Sequence, residues 1–275
     1  MPACRRSCKA MLLGAVLCIA PFYPAMAQAP QRIMSLNICT DQLLLALAPA
    51  RRIVSVTFMA REREPLKLWP QAARIPVNDG SAEDVLAAHP DLVLAGPFLP
   101  PLTRALLAKS GARIVTVPLA ENFDQIRAVT RLVARAVGEE ARGEALIARM
   151  DADLRQAAAH RPARPVRVAE WGTGGYVPGG GGLFGALLRA AGATSIAGGD
   201  GYYDVEALVA QKPEALIYSD TYRGLPSLRD DQDRHPALSG RLPHIYYSSF
   251  YGCGVPQLAG AALQLETDLR QAVRR

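Results

Sequence analysis

The sequence predicts an α/β protein made of two lobes of similar construction, with one long helix between them. Predicted strands alternate with helices along both halves of the chain, a pattern typical of βαβ units and a mostly parallel sheet. Between the halves, residues 139–160 form one uninterrupted amphipathic pattern, which corresponds to a helix roughly 33 Å long at 1.5 Å per residue. A helix of that length between two similar halves would act as a rigid strut.

The predicted strut is defined by its apolar side chains and by its boundaries. Apolar residues recur along one face at every fourth position: Leu146, Met150, Leu154 and Ala158, with Ile147 and Ala157 beside them. Gly138 separates this segment from the preceding helix, and Pro162 stops it. The alternative is an ordinary surface helix in one large domain.

The chain begins with the features of a cleavable export signal. Arg5, Arg6 and Lys9 precede an apolar stretch, and residues 25–27 (AMA) form a small-residue cleavage site. Removal of residues 1–27 takes away three positive charges and no negative ones, so the formal charge falls from +6 to +3. Without a clustered basic stripe, that charge gives no indication of nucleic-acid binding.

Removal of the signal peptide also changes the number of cysteines. Three of the five cysteines lie in the signal, so the mature chain keeps Cys39 and Cys253. In an oxidising compartment such a pair is a candidate disulfide. Two free thiols, or a pair close to a bound ligand, are the alternatives, because the sequence does not give the distance between the two residues.

In the N-terminal half, strands and helices are expected at regular intervals. The predicted strands are 32–36, 52–57, 92–95 and 113–117, and the predicted helices are 42–48, 81–88, 102–110 and 124–137. Thr40 or Asp41 is expected to cap the first helix. Residues 58–78 show no clear period and are expected to form a loop.

The C-terminal half follows the same pattern. Its predicted strands are 166–171, 215–218 and 245–248, and its predicted helices are 183–191, 205–210 and 257–273. The glycine run at 179–182 could cradle an anion on its backbone, but it lacks the Lys-Ser/Thr of a phosphate-binding loop. A flexible loop that lets the backbone approach a ligand is the favoured interpretation.

Two segments, 81–94 and 204–217, repeat one another. In both, a glutamate (Glu83 or Glu206) lies seven residues before a proline, an acidic residue follows the proline, and an apolar strand comes next. Two such units on opposite sides of the strut indicate two lobes that face a common cleft. Chance is the alternative, because helix–turn–strand units share these features.

No catalytic or metal-binding motif occurs in the sequence. The four histidines include no pair at i, i+4, and there is neither a His-Glu-x-x-His motif nor a Gly-x-Ser-x-Gly motif. We therefore expect no enzymatic activity, no bound metal ion and no resident cofactor.

Aromatic residues follow several of the predicted strands, where the ligand sites of α/β proteins form. These candidate ligand contacts are Trp69, Phe98, Trp171, Tyr176, Tyr202, Tyr203, Tyr222 and Tyr251. Arg223 adds a cation beside Tyr222. Aromatic faces with few polar groups suit a large, partly planar ligand better than a bare ion, and about half of these rings are expected to be core residues.

The order and spacing of these features resemble the class of periplasmic binding proteins that serve ABC importers of cobalamin, ferric siderophores and haem. The matching features are the opening segment 32–37 (RIMSLN), the Glu83 unit and its repeat at Glu206, Gly138 before the strut, and the helix at 183–192. The resemblance implies two Rossmann-like lobes with parallel sheets, joined by one long rigid backbone helix. The ligand would lie between the lobes, which would move little on closing.

The resemblance also implies how the chain is divided. The parts would be a signal peptide at 1–27, an N-terminal α/β lobe at 28–138, a connecting backbone helix at 139–161 and a C-terminal α/β lobe at 162–275. The mature protein would be a periplasmic monomer that delivers its ligand to an ABC importer permease dimer in the inner membrane.

Two exposed glutamates are the docking residues that the resemblance implies. In the family, one surface glutamate on each lobe docks on arginines of the permease, and Glu83 and Glu206 stand at the matching positions. The alternative is that each is an exposed carboxylate in a first helical turn, where the helix dipole favours negative charge.

The resemblance leaves the ligand open among metal chelates. A corrinoid needs aromatic walls and tolerates modest charge, so it is placed ahead of a ferric siderophore, for which Arg61, Arg63, Lys67 and Arg223 are candidate contacts. Haem is a further alternative, although few histidines are present to bind its iron. A sensor or scaffold protein without a transport role, and an enzyme that uses the cleft, are the remaining hypotheses.

Overall fold

The computed structural model describes residues 28–61, 69–219, 235–238, 240–248 and 252–273. The expected signal peptide lies outside these residues. The described chain forms two α/β lobes with a long helix between them, in agreement with the fold class predicted from the sequence.

The N-terminal lobe is built on a five-stranded parallel sheet. Its strands are β1 (Ile33–Ser35), β2 (Ile53–Thr57), β3 (Val77–Asn78), β4 (Leu92–Ala95) and β5 (Arg113–Thr116). The strand order is β3-β2-β1-β4-β5. All four residues of β4 are buried, because a central parallel strand is covered on both faces.

Five helices surround this sheet. They are α1 (Ile38–Leu47), α2 (Trp69–Ala72), α3 (Ala82–Ala88), α4 (Pro101–Leu107) and α5 (Phe123–Val137). Short 3₁₀ turns lie at Ala50–Arg52 and Phe58–Arg61. The segment 58–78 is therefore not the plain loop that we expected: it contains a 3₁₀ turn, α2 and the edge strand β3.

Helix α1 begins earlier than the sequence indicated, because Asn37 caps it. The Asn37 side chain accepts a hydrogen bond of 2.9 Å from the backbone N–H of Cys39. Thr40 and Asp41, the expected caps, are instead buried inside the first turn. Their side chains take part in the polar network described below.

The C-terminal lobe contains a four-stranded parallel sheet and a small hairpin. The strands of the sheet are β6 (Val166–Glu170), β8 (Ala193–Ser195), β10 (Ala215–Ser219) and β11 (His244–Tyr247). Their order is β11-β10-β6-β8. The hairpin pairs β7 (Tyr176–Val177) with β9 (Gly201–Tyr202) in antiparallel fashion. The sequence pattern did not indicate β7, β8 or β9, each of which has only two or three residues.

Three described helices belong to this lobe: α7 (Gly182–Ala190), α8 (Val205–Ala210) and α9 (Leu258–Val273). The glycine run before α7 serves packing within the lobe. A Cβ on Gly179 would lie 2.7 Å from the Cα of Gly199, and one on Gly185 would lie 1.9 Å from the carbonyl oxygen of Gly180. A Cβ on Gly181 or Gly182 would meet nothing within 4 Å, so packing explains only part of the run, and its approach to a ligand stays a prediction.

Helix α6 (Glu140–Ala159) connects the lobes and packs between α5 of the N-terminal lobe and α9 of the C-terminal lobe. Its buried face is Gly143, Ile147, Met150 and Ala157. Leu146 and Leu154 are partly buried beside this face, and of the predicted stripe only Ala158 is exposed. Gly143 allows a close approach to α5, because a Cβ there would lie 2.5 Å from the Cβ of Ala134.

The apolar core passes through α6 without a break. One cluster of buried side chains includes Leu92 of the N-terminal lobe, Ile147 and Met150 of α6, and Ile217 and Leu265 of the C-terminal lobe. The two lobes are therefore packed on each other through the helix and share a core. None of the described helices is both long and apolar enough to cross a membrane.

A buried arginine holds the start of α6 against the N-terminal lobe. Arg52 is 6% exposed and forms an ion pair of 2.8 Å with Glu139. Its guanidinium also donates to the carbonyl oxygens of Pro30, at 2.7 Å, and of Val137. Because Val137 and Glu139 stand on either side of the left-handed residue Gly138, Arg52 fixes the angle between α5 and α6.

Candidate functional site

The carboxyl ends of the strands of the N-terminal sheet open on a cavity of about 160 Å³ between the lobes. Asn37 follows β1, Gly96 follows β4 and Val117 follows β5, and all three line this cavity. The C-terminal lobe contributes Leu183 and Gly254. Ligands of open α/β sheets bind at the carboxyl ends of the strands, so this cavity marks the candidate site.

The described lining of the cavity is mainly apolar. Its large apolar members are Leu43, Val117, Leu119, Val129 and Leu183. Among the described lining residues, Glu121 is the one charged side chain. This part of the cleft therefore suits an apolar or neutral surface better than a strongly anionic one.

A disulfide joins the lobes at the cavity wall. Cys39 lies in the first turn of α1, and Cys253 lies just before α9. The structure links them with a Cα–Cα separation of 5.2 Å, across 214 positions of the chain. The sequence left a disulfide, two free thiols or a pair beside a ligand as alternatives, and the structure contains the disulfide.

A buried polar network positions the N-terminal edge of the cavity. Asp41 accepts a hydrogen bond of 3.2 Å from the backbone N–H of Thr57, and the Thr57 hydroxyl also donates to it. The hydroxyls of Ser35 and Thr40 lie 2.7 Å apart, and Thr40 donates to the carbonyl oxygen of Asn37. The network ties β1, β2 and the first turn of α1 together. Burial raises the pKa of Asp41 from 3.8 to about 7.

A second carboxyl group, partly buried, lies at the matching edge of the C-terminal sheet. Glu170 ends β6 and accepts a hydrogen bond of 2.7 Å from the hydroxyl of Tyr247, which ends β11. Burial raises the pKa of Glu170, and the Tyr247 hydrogen bond opposes this rise. The ring of Tyr247 lies 6.4 Å from that of Phe184 on α7, so this pair links three elements below the cleft.

Two of the predicted aromatic contacts are exposed, one on each lobe, and a third packs against one of them. Phe98 is 80% exposed and follows β4 in the N-terminal lobe. Tyr202 is 79% exposed on the hairpin of the C-terminal lobe, and its ring packs edge-to-face on Tyr176 at 5.5 Å. These three rings are therefore available to a ligand.

Trp171 is not exposed, as a side chain that contacts a ligand would have to be. It is 1% exposed in a core cluster of the C-terminal lobe, together with Tyr218 and Leu208. This corrects the expectation that Trp171 contacts the ligand: β6 passes through the middle of its sheet, and the residue that follows it turns under the hairpin. The indole nitrogen has no hydrogen-bond partner among the described residues.

Tyr203 is partly buried and packs against the same core cluster as Trp171, and most of the other predicted contacts fall outside what the structure describes. Tyr222, Arg223 and Tyr251 lie outside the described residues, as do Arg63, Lys67 and the side chain of Trp69. Arg61 is described, and its guanidinium donates to the carbonyl oxygen of Ile75. That bond holds Arg61 against the segment before β3.

Sequence reasoning missed three exposed apolar side chains at the same edge as Phe98. Phe58 follows β2, Leu102 lies in the first turn of α4, and Leu119 follows β5. They are 50%, 73% and 54% exposed. For Phe58 and Leu119 the signal is an apolar residue within three positions after a strand, whereas the prediction considered aromatic residues and omitted Phe58.

Comparison with known proteins gives the family. The sequence matches the family described as "Periplasmic binding protein" over residues 33–238, most of the chain. The chain belongs to the periplasmic binding protein family. No curated protein sequence matches it significantly.

Solved structures of periplasmic binding proteins share the fold. The apo heme-binding protein RhuT from Roseiflexus sp. RS-1 has a TM-score of 0.72 at 22% identity, covering 88% of this chain and 99% of that one. The vitamin B12 binding protein BtuF of Vibrio cholerae has a TM-score of 0.70 at 16% identity, covering 90% and 99%. A periplasmic heme-binding protein from Pseudomonas aeruginosa has a TM-score of 0.67 at 23% identity, covering 86% and 92%. At these identities the likeness establishes the fold of this periplasmic binding protein and leaves its ligand undetermined. Among the described residues, no group of His, Cys, Asp and Glu could hold a metal ion directly.

The two repeated segments of this periplasmic binding protein adopt the same local structure. Ser81 caps α3 by accepting from the N–H of Asp84 at 3.2 Å, and Asp204 caps α8 by accepting from the N–H of Ala207 at 2.7 Å. Both helices lead into a left-handed residue, His89 (φ 45°) or Lys212 (φ 52°). These two are the only non-glycine residues with positive φ in the described chain.

The surfaces of α3 and α8 also correspond. Glu83 and Glu206 are exposed in the first turns of the two helices. One turn later, Leu86 and Val209 are 42% and 41% exposed. Each lobe thus presents one carboxylate beside one apolar side chain on a short helix.

The raised pKa of Asp41 makes the stability of the protein depend on pH. The folded state holds this proton up to about pH 7, whereas the unfolded state releases it near 3.8, so folding stability should fall as pH rises between these values. Asp41→Asn removes the titration while keeping an oxygen for Thr57. We expect urea denaturation to show that the unfolding free energy falls less between pH 5 and pH 8 in this variant than in the wild type.

A matched control for this experiment is Asp124→Asn, because the Asp124 side chain is 95% exposed. The control should keep the pH dependence of the wild type. An equal fall in unfolding free energy between pH 5 and pH 8 in Asp41→Asn and Asp124→Asn would contradict the assignment of the pH dependence to Asp41.

Proposed function

We propose that the protein captures a metal chelate between its lobes in the periplasm and delivers it to an ABC importer permease, without enzymatic activity. The observation that carries this proposal is the apolar cavity at the carboxyl ends of the N-terminal sheet, enclosed by two lobes that share a core. Membership of the periplasmic binding protein family and the export signal in the sequence support it.

The walls of the cleft favour a large, flat and largely apolar ligand. Phe58, Phe98 and Leu102 are exposed on the N-terminal side, and Tyr176 and Tyr202 lie on the C-terminal hairpin. The cavity of about 160 Å³ is smaller than the roughly 300–1,000 Å³ of typical small-molecule sites. A chelate ring would therefore rest on these exposed side chains and place only an edge in the cavity.

This chemistry favours a tetrapyrrole-type chelate over a ferric siderophore. An anionic siderophore requires several cations, and the described cavity lining holds one carboxylate and no Lys, Arg or His. Corrinoid and haem both present a broad apolar ring, and the structural neighbours include a vitamin B12 binding protein and heme-binding proteins. We therefore propose a corrinoid and haem as equally favoured candidate ligands.

Titration of the mature protein tests this proposal. Cyanocobalamin, haemin, a ferric hydroxamate and a ferric catecholate would be added while tryptophan fluorescence is followed, with haem absorption as a second readout. We expect sub-micromolar binding of cyanocobalamin or haemin. Phe98→Ala and Tyr202→Ala should each weaken that binding about tenfold, equivalent to 1.4 kcal/mol, because each removes an aromatic contact.

Leu86→Ala is the control for these variants, since Leu86 is exposed on α3. It should leave the affinity unchanged. A lack of binding across the whole panel, or tight binding of a siderophore alone, would contradict the proposed ligand class. In the first case a sensor or scaffold role would gain support.

The proposed docking residues are Glu83 and Glu206. Each stands exposed on the equivalent helix of its lobe, which gives the protein two similar acidic surfaces for the two subunits of a permease dimer. The first helical turn favours a carboxylate in any case, so the proposal needs an experiment that separates docking from helix stability.

Charge reversal provides that experiment. In Glu83→Arg/Glu206→Arg, uptake of the chelate into cells should be lost while the affinity for the chelate is retained. The control is Glu140→Arg/Asp124→Arg, which reverses first-turn carboxylates of α6 and α5 and carries the same helix-dipole penalty. Equal uptake by the two double variants would argue against docking through Glu83 and Glu206.

A further inference from the structure

The disulfide lies where the two lobes meet across the cleft. Cys39 belongs to α1 of the N-terminal lobe, and Cys253, which is fully buried, belongs to the C-terminal lobe. Cys39 lines the same cavity as Gly252 and Gly254, the neighbours of Cys253. The bond is therefore part of the cavity wall.

The backbones of the two lobes touch beside the disulfide. A Cβ on Gly254 would lie 2.4 Å from the Cβ of Ala120 and 2.9 Å from its carbonyl oxygen. Ala120 is on the segment between β5 and α5, and it also lines the cavity. Only glycine permits this approach, so the contact sets how far apart the cavity walls stand.

The disulfide gives the lobes a second covalent connection. Beneath the cleft they are joined by α6 and the shared core, and the cleft walls above that base could still hinge apart. The bond between Cys39 and Cys253 joins residues 214 positions apart and lies on the cavity itself. Rotation that opened the cavity would have to break this bond.

We propose that the Cys39–Cys253 disulfide is a positioning element that fixes the spacing of the two cleft walls before the ligand arrives. The cavity then keeps one width in the free and bound protein, and it admits ligands whose edge fits that width. The effect on ligand affinity rests on the proposed function, whereas the effect on spacing does not.

A fixed spacing contributes to affinity because the protein loses less freedom on binding. If the lobes were free to open and stood at the competent spacing for about a tenth of the time, the apparent affinity would fall about tenfold. The bond would raise affinity by removing the open states.

Interlobe distances test the proposal without any ligand. Spin labels carried by non-canonical residues at Lys109 and Ala210, both exposed, would report on the two lobes by pulsed EPR and leave the cysteines intact. We expect a narrow distance distribution in the wild type and a broader one in Cys39→Ser/Cys253→Ser. Identical distributions would overturn the proposal.

Reduction provides a second route if the double variant does not fold. The folded, labelled wild-type protein would be treated with a water-soluble phosphine, which converts the disulfide to two thiols, and the distance would be followed as the thiols appear. Broadening in step with reduction is expected. A distribution that stays narrow after complete reduction would overturn the proposal.

Gly254→Ala tests the contact between Gly254 and Ala120 beside the disulfide. The added methyl group should increase the mean interlobe distance, because it has no room against Ala120. Gly198→Ala is the matched control, since a Cβ there meets nothing within 4 Å. Equal distances in the two variants would overturn the role of this contact.

Affinity is measured with cyanocobalamin and haemin. If the wild type binds one of them, the double cysteine variant should bind it about tenfold more weakly, and equal affinity would overturn the contribution of the bond to binding. If the wild type binds neither, the proposed function fails, and the EPR distances still decide whether the disulfide fixes the spacing.

Discussion

The packing of α6 between α5 and α9 is the constraint on which the rest of the molecule depends. It lets one apolar core run from the N-terminal sheet, through Ile147 and Met150, into the C-terminal lobe. Burial of each such side chain contributes roughly 1.5–3 kcal/mol to stability. Separation of the lobes would therefore expose apolar core side chains to water at a large cost in free energy. This packing forms the base of the cleft, and the disulfide and the Gly254–Ala120 contact act on its walls above that base.

The chemistry of the cleft is placed on this rigid base by groups at the ends of strands. Asp41 and Thr57 anchor the first turn of α1, while Glu170 and Tyr247 hold the matching edge of the C-terminal sheet. Asp41 is buried and Glu170 is partly buried, and each accepts hydrogen bonds that help to fix the geometry of its edge. The ligand-facing positions are left to exposed rings and aliphatic side chains.

The sequence predicted best those elements whose pattern is local. The buried run Leu92–Ala95 and the helix Val205–Ala210 lie where they were expected, because a central strand and a capped short helix each carry their own signal. The repeat of the Glu83 and Glu206 units was visible for the same reason. The start of α1 was placed too late, because Thr40 and Asp41 are as suitable for a cap as Asn37 is, and only the tertiary structure turns them inwards.

Features that depend on distant contacts were less accessible. An even number of cysteines suggested a disulfide, but only the fold shows that it crosses the cleft. Trp171 and Phe98 both follow an internal strand, yet Trp171 is buried and Phe98 is exposed, because the β7–β9 hairpin packs beside Trp171. The two-residue strands β7 and β9 have too few residues for any periodic pattern.

Crystal structures of the free protein and of its complex with the chelate that binds would test the central claim most directly. The account predicts that the ligand ring lies between the lobes, in contact with Phe98 and Tyr202, and that the two structures superpose as a whole within about 1 Å. A ligand bound outside the cleft, or a large rotation of one lobe relative to the other, would contradict it.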